Sequence, residues 1–314
     1  MLKMLKTKGP DFLGVGLEKS GNHWIAALLS AHPDISCFPV MPFVKESGEY
    51  NRENVGELHI FNSLASLEPG TEDKFVRPLT DYSDRYNKLF SDLVPYLDKV
   101  PKAEIYRMFL DRYNEICESE RHGKKLVGEA TPAYVFHLDF IDSFYPNIKK
   151  LCVIREPRDR VVSWHFHQIR RGRIENSNKL SDQFIIDYCE KRIRKEYQAL
   201  LDYSGNIHCL TYEGLSKTPH PVIRGTLKYL DVPADDEVID EMLKAASFEK
   251  LTAKDSGGKG REQGEESIMS HFRKGIVGDW KNYLADTQVK LVDQITLDLQ
   301  NQVFKKYNVE QPNQ

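Results

Sequence analysis

The stretch that decides the fold runs Phe12-Leu-Gly-Val-Gly-Leu-Glu-Lys-Ser-Gly-Asn-His-Trp24. Its first half, Phe12 to Leu17, is a short apolar run with glycines, the pattern of a buried strand entering a loop. Beyond it, Trp24, Ile25, Leu28 and Leu29 recur at the spacing of one helical face, and His32-Pro33 predicts the end of that helix. A glycine-bearing turn between strand and helix exposes backbone N–H groups at the positive end of the helix, a geometry that suits phosphate. Lys19 adds a point charge, and Ser20, Asn22 and His23 add side-chain donors. An ordinary strand–helix turn is the other reading of the segment. A Walker-type loop does not fit, because GxxxxGK[ST] needs glycine directly before lysine, whereas Glu18 precedes Lys19 and Gly21 follows it.

Outward from this turn, Lys125–Gly128, Lys150–Arg155 and Asn206–Tyr212 read as further strands. Helices are expected after Pro157, over Pro221–Leu230 and Asp235–Ala246, and over Asp286–Phe304, where Leu291, Ile295, Leu299 and Val303 keep near-helical spacing. Alternating strands and helices predict an α/β fold, a parallel sheet flanked by helices, in a single domain over 1–314. The strand order is not legible. Residues 41–121 mix aromatics and charges and read as a helical insertion or lid on the core, with helices around Arg85–Leu97 and Ala103–Glu120. Lys254–Glu266 (KDSGGKGREQGEE) reads either as a solvated flexible loop or as a lid that orders over a ligand.

The 314 residues are 40% hydrophobic and 29% charged, values of a folded globular chain. A net charge of −3 gives no bulk field for nucleic acid or an anionic membrane. No apolar run is long enough for a membrane span, and Met1–Pro10 does not read as a signal peptide. Cys37, Cys117, Cys152, Cys189 and Cys209 are odd in number and form no CxxC pair, which argues against a disulfide framework or zinc site and for a reducing, cytoplasmic setting. The strand KLCVI ends in Arg155 rather than in an aspartate suited to Mg²⁺, so metal-independent handling of phosphate is expected.

Three segments together resemble the sulfotransferases that use 3′-phosphoadenosine-5′-phosphosulfate (PAPS). Lys19-Ser-Gly-Asn-His-Trp24 is similar to the family's KSGTTW loop, with Asn22 and His23 in place of two threonines. Arg155 with Ser163 eight residues on is similar to the pair that holds the 3′-phosphate in the family. Phe272-Arg-Lys-Gly-Ile-Val-Gly-Asp-Trp-Lys281 is similar to its RKGxxGDWK stretch, so Arg273, Lys274 and Gly275 would complete that pocket. The resemblance spans residues 12–281. It implies a P-loop-like sulfotransferase fold and sulfuryl transfer from PAPS to an acceptor hydroxyl or amine of unknown identity, a small molecule or a glycan, leaving 3′-phosphoadenosine-5′-phosphate (PAP). It further implies adenosine contacts by Tyr212, Ser247 and Phe248, with Trp24 and Phe248 sandwiching the adenine, and charge stabilisation by Lys19, with His23 as an assisting donor.

Gly128-Glu-Ala-Thr-Pro-Ala-Tyr134 is similar to the segment that carries a glutamate base in carbohydrate-type members, which makes Glu129 the expected base, although Ala130 stands where lysine is usual. The small-molecule branch uses a histidine; His137, His165 and His167 are the rivals, and the last two, two apart on a helix, cannot share a face. A dimer contact near Lys274–Val277 in some members makes a homodimer a further expectation. Two other classes stay open: a P-loop-like kinase or nucleotide hydrolase, which would need ATP and Mg²⁺, and a PAP-binding protein without turnover. Arg158, Arg160, Arg170, Arg171 and Arg173 are either further anion ligands or a solvated helix face.

Overall fold

Five short strands, β1 (Phe12–Gly16), β2 (Ile35–Phe38), β3 (Leu126–Ala130), β4 (Lys149–Ile154) and β5 (His208–Thr211), pair in parallel in the order β2-β3-β1-β4-β5. The computed structural model describes residues 8–38, 57–65, 93–96, 99–256 and 258–309. Side chains alternate across the sheet, as strand geometry requires. Leu13 and Val15 of β1 and Cys152 and Ile154 of β4 enter one core; Phe12, Leu151 and Val153 enter the other.

The second core is closed by α1 (Asn22–Ser30), α9 (Pro219–Tyr229) and α10 (Asp236–Ala245), through Ile25, Leu28, Leu227, Ile239 and Met242. Among the described residues, α2 (Ile60–Ala65), α3 (Lys102–Glu120), α4 (Leu138–Phe144), α5 (Pro157–Arg170), α6 (Asp182–Tyr188), α7 (Arg194–Asp202) and α8 (Tyr212–Lys217) lie between α1 and α9, and α11 (Phe248–Ser256) and α12 (Asp286–Tyr307) follow α10. Phe109 and Tyr113 of α3, Val161 of α5, Tyr197 of α7 and Val292 of α12 close the first core.

Local chemistry sets the helix starts. Pro157 sits in the first turn of α5, and the Glu156 carboxylate accepts the Asp159 N–H at 3.0 Å. Ser181 caps α6 by accepting the Phe184 N–H at 3.2 Å. A π-turn, Cys189–Ile193, joins α6 to α7.

Several expectations change. β2 stands where no strand was expected. Helix α3 falls at the expected place but packs on β2 and β3, so it covers the sheet rather than forming a lid. Of the expected helix over 85–97, a 3₁₀ turn at Val94–Tyr96 is seen and most of the rest lies outside the described residues, as does much of 41–121. Tyr212, expected to end a strand, opens α8. The 254–266 segment is not a purely solvated loop: its first residues continue α11. The Arg261 guanidinium then donates to the carbonyls of Glu265 (2.6 Å) and Arg273 (2.8 Å) and to that of Phe272, while Gly264 N–H donates to Lys274 O at 2.9 Å.

Candidate active site

In an open parallel sheet the crevice at the carboxyl ends of the strands is the natural ligand site. Here the segments after β1, β3, β4 and β5 surround a cleft of about 1020 Å³, and the 271–276 segment supplies another part of its wall.

The β1–α1 turn carries Lys19 in the left-handed region (φ 60°) and Gly21 at φ 94°. A β-carbon at Gly21 would lie 2.8 Å from the Tyr212 ring, so both backbone and space require glycine. Beneath the turn lies a buried ion network. Arg160 and Glu196, both fully buried, pair with each other. Arg160 Nε donates to the Glu18 carbonyl (2.8 Å), and Glu18 N–H donates to Glu196 Oε1 (3.2 Å). Arg192 Nε reaches Glu196 Oε1 at 2.8 Å and Glu18 Oε2 at 3.1 Å. The backbone just before Lys19 is therefore held at both its N–H and its C=O. Burial, with Arg170 next in weight, pulls the Lys19 ammonium down to about 8.

Lys19, Gly21, Asn22, His23, Trp24, Arg155, Ser163, Tyr212, Ser247, Phe248, Arg273, Lys274 and Gly275 all line the cleft. Arg155 stacks over the Tyr212 ring (4.2 Å), and its Nη2 donates to Ile276 O (3.2 Å) and faces Asp159 Oδ2 (3.4 Å). Its Nε is buried without a partner, an orphaned donor that an anion's oxygen would satisfy. Trp24 meets Tyr212 edge to face at 5.3 Å. Gly275 (φ 69°) lets the chain pass the Phe248 ring, which a β-carbon would meet at 2.4 Å.

Other assignments need correction. Ser20 is fully buried and is not part of the cleft wall. The Asn22 side chain donates to Leu17 O at 2.6 Å and so staples the loop. Arg273 pairs with Asp279 and Glu266, and Lys274 Nζ donates to Tyr283 OH (2.7 Å) and Asp279 Oδ1 (3.2 Å). Both cations thus face carboxylates as well as the cleft.

Glu129, expected as the base, is fully buried and is not on the cleft wall. It accepts from Thr131 Oγ1 (2.5 Å), Tyr134 OH (2.8 and 3.1 Å), Tyr113 OH (2.9 Å) and Leu58 N–H (3.1 Å). Burial outweighs these donors and raises its carboxyl above the ordinary value. Through Leu58 it anchors the backbone between Glu57 and His59, and both of these line the cleft.

There Glu57 stands between two imidazoles, 3.3 Å from His59 Nε2 and 3.6 Å from His23 Nε2. Burial pulls His23 down to about 4 against the charge of Glu57. Burial also opposes charge on His59, but the hydrogen bond and charge of Glu57 outweigh it and hold His59 above the usual histidine value. Of the rival histidines, His137 is away from the cleft and His165 hydrogen-bonds Ser177 O at 2.7 Å, while His167 lines the cleft. Sequence reasoning missed Glu57, His59 and His271; an E-x-H pair in an irregular stretch has no periodic or motif signal. Among the described residues no group of three or more His, Cys, Asp or Glu could hold a metal ion, and no helix is long and apolar enough to cross a membrane.

In sequence and in fold the chain is similar to known sulfotransferases. Cytosolic sulfotransferase 8 of Arabidopsis thaliana is 24% identical over 297 residues, 86% of this chain and 88% of that protein. Flavonol 3-sulfotransferase of Flaveria bidentis is 28% identical over 169 residues; this match covers 48% of the chain and 54% of that protein, so the chain spans only about half of that relative. In fold, a sulfotransferase from Alicyclobacillus acidocaldarius superposes with a TM-score of 0.52 at 18% identity, covering 97% of this chain and 98% of its own. A mouse sulfotransferase complexed with PAP gives 0.51 at 14% identity over 96% and 89% of the two chains. The sequence profile described as the sulfotransferase domain matches residues 9–307. With that match across nearly its whole length, the chain belongs to the sulfotransferase domain family.

Proposed function

We propose that this protein transfers a sulfuryl group from PAPS to an acceptor hydroxyl or amine. The observation that carries the reading is the pair of cations at the carboxyl ends of neighbouring strands: Lys19 after β1 and Arg155, with its orphaned Nε, after β4, on one cleft. PAPS is anionic at two separate points, the 5′-phosphosulfate and the 3′-phosphate, and two cationic points are what it needs. The relative solved with PAP is in keeping with this. Trp24, Tyr212 and Phe248 give aromatic surface for the adenine, and cytosolic relatives support a cytoplasmic setting.

In this reading Lys19 and the backbone N–H groups at the start of α1 hold the phosphosulfate, while Arg155 and Ser163 hold the 3′-phosphate. PAPS, when bound, supplies an electrophilic sulfur on a phosphate leaving group. Lys19 is placed to stabilise charge on the leaving oxygen. The acceptor proton passes to the imidazole–carboxylate group on the same wall, with His59 as base and Glu57 sharing the charge. Glu129 is a positioning residue for that group.

The test is calorimetric titration with PAP, against ATP plus Mg²⁺. Low-micromolar or tighter PAP binding without metal, and a weak ATP response, is the expected result. A folded protein that does not bind PAP sinks the reading, and ATP–Mg²⁺ binding in its place revives a nucleotide kinase or hydrolase.

A further inference from the structure

Arg155 directly follows β4, and Asp159 stands four residues on, in the first turn of α5. Asp159 is buried, so its carboxylate must find partners inside the protein. Glu156 caps α5 by accepting the Asp159 N–H at 3.0 Å, which leaves the Asp159 side chain for another task. Its Oδ2 accepts the Gly278 N–H at 2.8 Å and its Oδ1 the Trp280 N–H at 3.0 Å, 119 and 121 residues away in the chain. Oδ2 also faces Arg155 Nη2 at 3.4 Å.

The segment anchored in this way carries Ile276, whose carbonyl accepts from the same Arg155 Nη2 at 3.2 Å. Arg158, from the same turn of α5, stacks on Trp280 at 4.4 Å and adds a second hold on the segment. Both contacts on Arg155 Nη2 therefore depend on Asp159. Its carboxylate makes one, and the other is made by a carbonyl two residues before an amide that it binds.

A guanidinium is planar, with its N–H donors in a fixed fork. With Nη2 on two acceptors and the group stacked over the Tyr212 ring at 4.2 Å, the fork is held in one orientation. In that orientation Nε is buried without a hydrogen-bond partner among the described residues. An arginine free in water loses rotamer freedom when it takes up a phosphate. Here that loss occurs on folding, before any ligand arrives.

We infer that Asp159 is a positioning residue for the 3′-phosphate. It acts through Arg155, fixing the guanidinium so that its unpartnered edge meets that phosphate, and it thereby sets the preference for a nucleotide phosphorylated at the 3′ position. The inference rests on the PAPS reading above, in which Arg155 holds the 3′-phosphate. The alternative role for a carboxylate 3.4 Å from an arginine is simple neutralisation, which weakens the hold on phosphate. The two roles predict opposite signs.

The test uses the full chain and compares Kd for PAP with Kd for adenosine 5′-monophosphate (AMP), which lacks only the 3′-phosphate. Calorimetry gives both, the weaker ligand by competition. Asp159→Asn keeps the shape and one accepting oxygen but sets an NH₂ against a backbone N–H. Its preference for PAP over AMP should fall about tenfold, while AMP affinity stays within about twofold of the parent. Asp159→Glu keeps the charge but shifts both oxygens by one methylene; it should lose the preference likewise, and it stands in where the asparagine variant does not fold. Arg155→Ala lowers the preference by itself, and adding Asp159→Asn to it should change the ratio by less than about twofold, because the two residues act in series. A preference raised in Asp159→Asn, or unchanged in Asp159→Glu, is the mark of neutralisation and overturns the proposal. An equal fall in PAP and AMP affinity, a full further loss in the Arg155→Ala background, or failure of both Asp159 variants to fold overturns it too, by making Asp159 a support of the fold alone. A parent protein that binds PAP and AMP equally overturns it by leaving the 3′-phosphate unheld. A folded parent that binds neither nucleotide would be the separate failure of the sulfotransferase reading.

Discussion

A carboxylate offers about four lone-pair sites, and one that already receives hydrogen bonds from three side chains and a backbone amide has little left with which to take a substrate's proton. Glu129 is in that state and fully buried, whereas His59 lines the cleft with Glu57 beside it. Glu129→Gln keeps the shape but turns one accepting oxygen into an NH₂, leaving buried donors unmet, so unfolding in urea should show a loss of about 1–3 kcal/mol. The pH dependence of turnover should keep its form. His59→Ala should lower kcat by about 10²-fold or more and remove the acidic limb of the profile. A Glu129→Gln protein of parental stability with kcat down by that factor would return the base to Glu129. The sequence carries the position of Glu129 on β3 but not its surroundings: Tyr113 and Leu58 lie 16 and 71 residues away, and no local pattern brings them together. Arg155 was legible because it directly follows β4, and Lys19 because it sits in the short turn between β1 and α1.

At the level of elements, long periodic helices such as α5 and α12 were readable, whereas β2 was not. Ile35-Ser-Cys-Phe38 is four residues with no alternation, because both of its faces are buried. Equally hidden was the joint between α5 and the α6–α7 helix. Arg160 projects from α5 and Glu196 from α7, and their pairing beneath the β1–α1 turn fixes the Glu18 backbone. Arg158 and Arg160 looked alike in sequence, yet Arg158 stacks on Trp280 (4.4 Å) and Arg160 is a buried structural ion. Removing one member of a buried pair strands the other, at a cost of about 3–5 kcal/mol, while replacing both with apolar residues is much less harmful. Arg160→Met should therefore be strongly destabilised, and Arg160→Met/Glu196→Leu should recover most of that stability. Neither should recover PAP affinity, because in both the Glu18 carbonyl has lost its donor. The expectation is a tenfold or greater rise in Kd by calorimetry. Parental PAP affinity in the double variant would show that the network supports the fold and not the loop.

For the molecule as a whole, a net charge of −3 conceals a cleft lined with cations, in which burial, with Arg170 next, lowers the Lys19 ammonium. The groups that would hold PAP come from the ends of β1, β4 and β5 and from Phe248, so the site joins parts of the chain more than 200 residues apart and exists only in the folded protein. A ligand present at a hundred times its Kd adds about 2.7 kcal/mol to the native state, and PAP should accordingly raise Tm. The pH dependence of that rise follows from Lys19. Its ammonium titrates at about 8 in the free protein, and a bound phosphate favours the charged form and lifts that value. Below pH 8 the lysine is protonated whether or not PAP is bound, and this group adds no pH dependence. Above pH 8 the free protein has lost the proton, so binding must take one up, and affinity falls with rising pH. The Tm rise given by a fixed PAP concentration should therefore be level from pH 6.5 to 7.5 and shrink steadily from pH 8 to 9.5. Calorimetry at pH 8.5 in two buffers of different ionisation enthalpy should register proton uptake. A Lys19→Arg protein, whose guanidinium stays charged throughout, should lose the decline. A Tm rise that is flat to pH 9.5 in the parent protein would place the ammonium of Lys19 away from the bound phosphate.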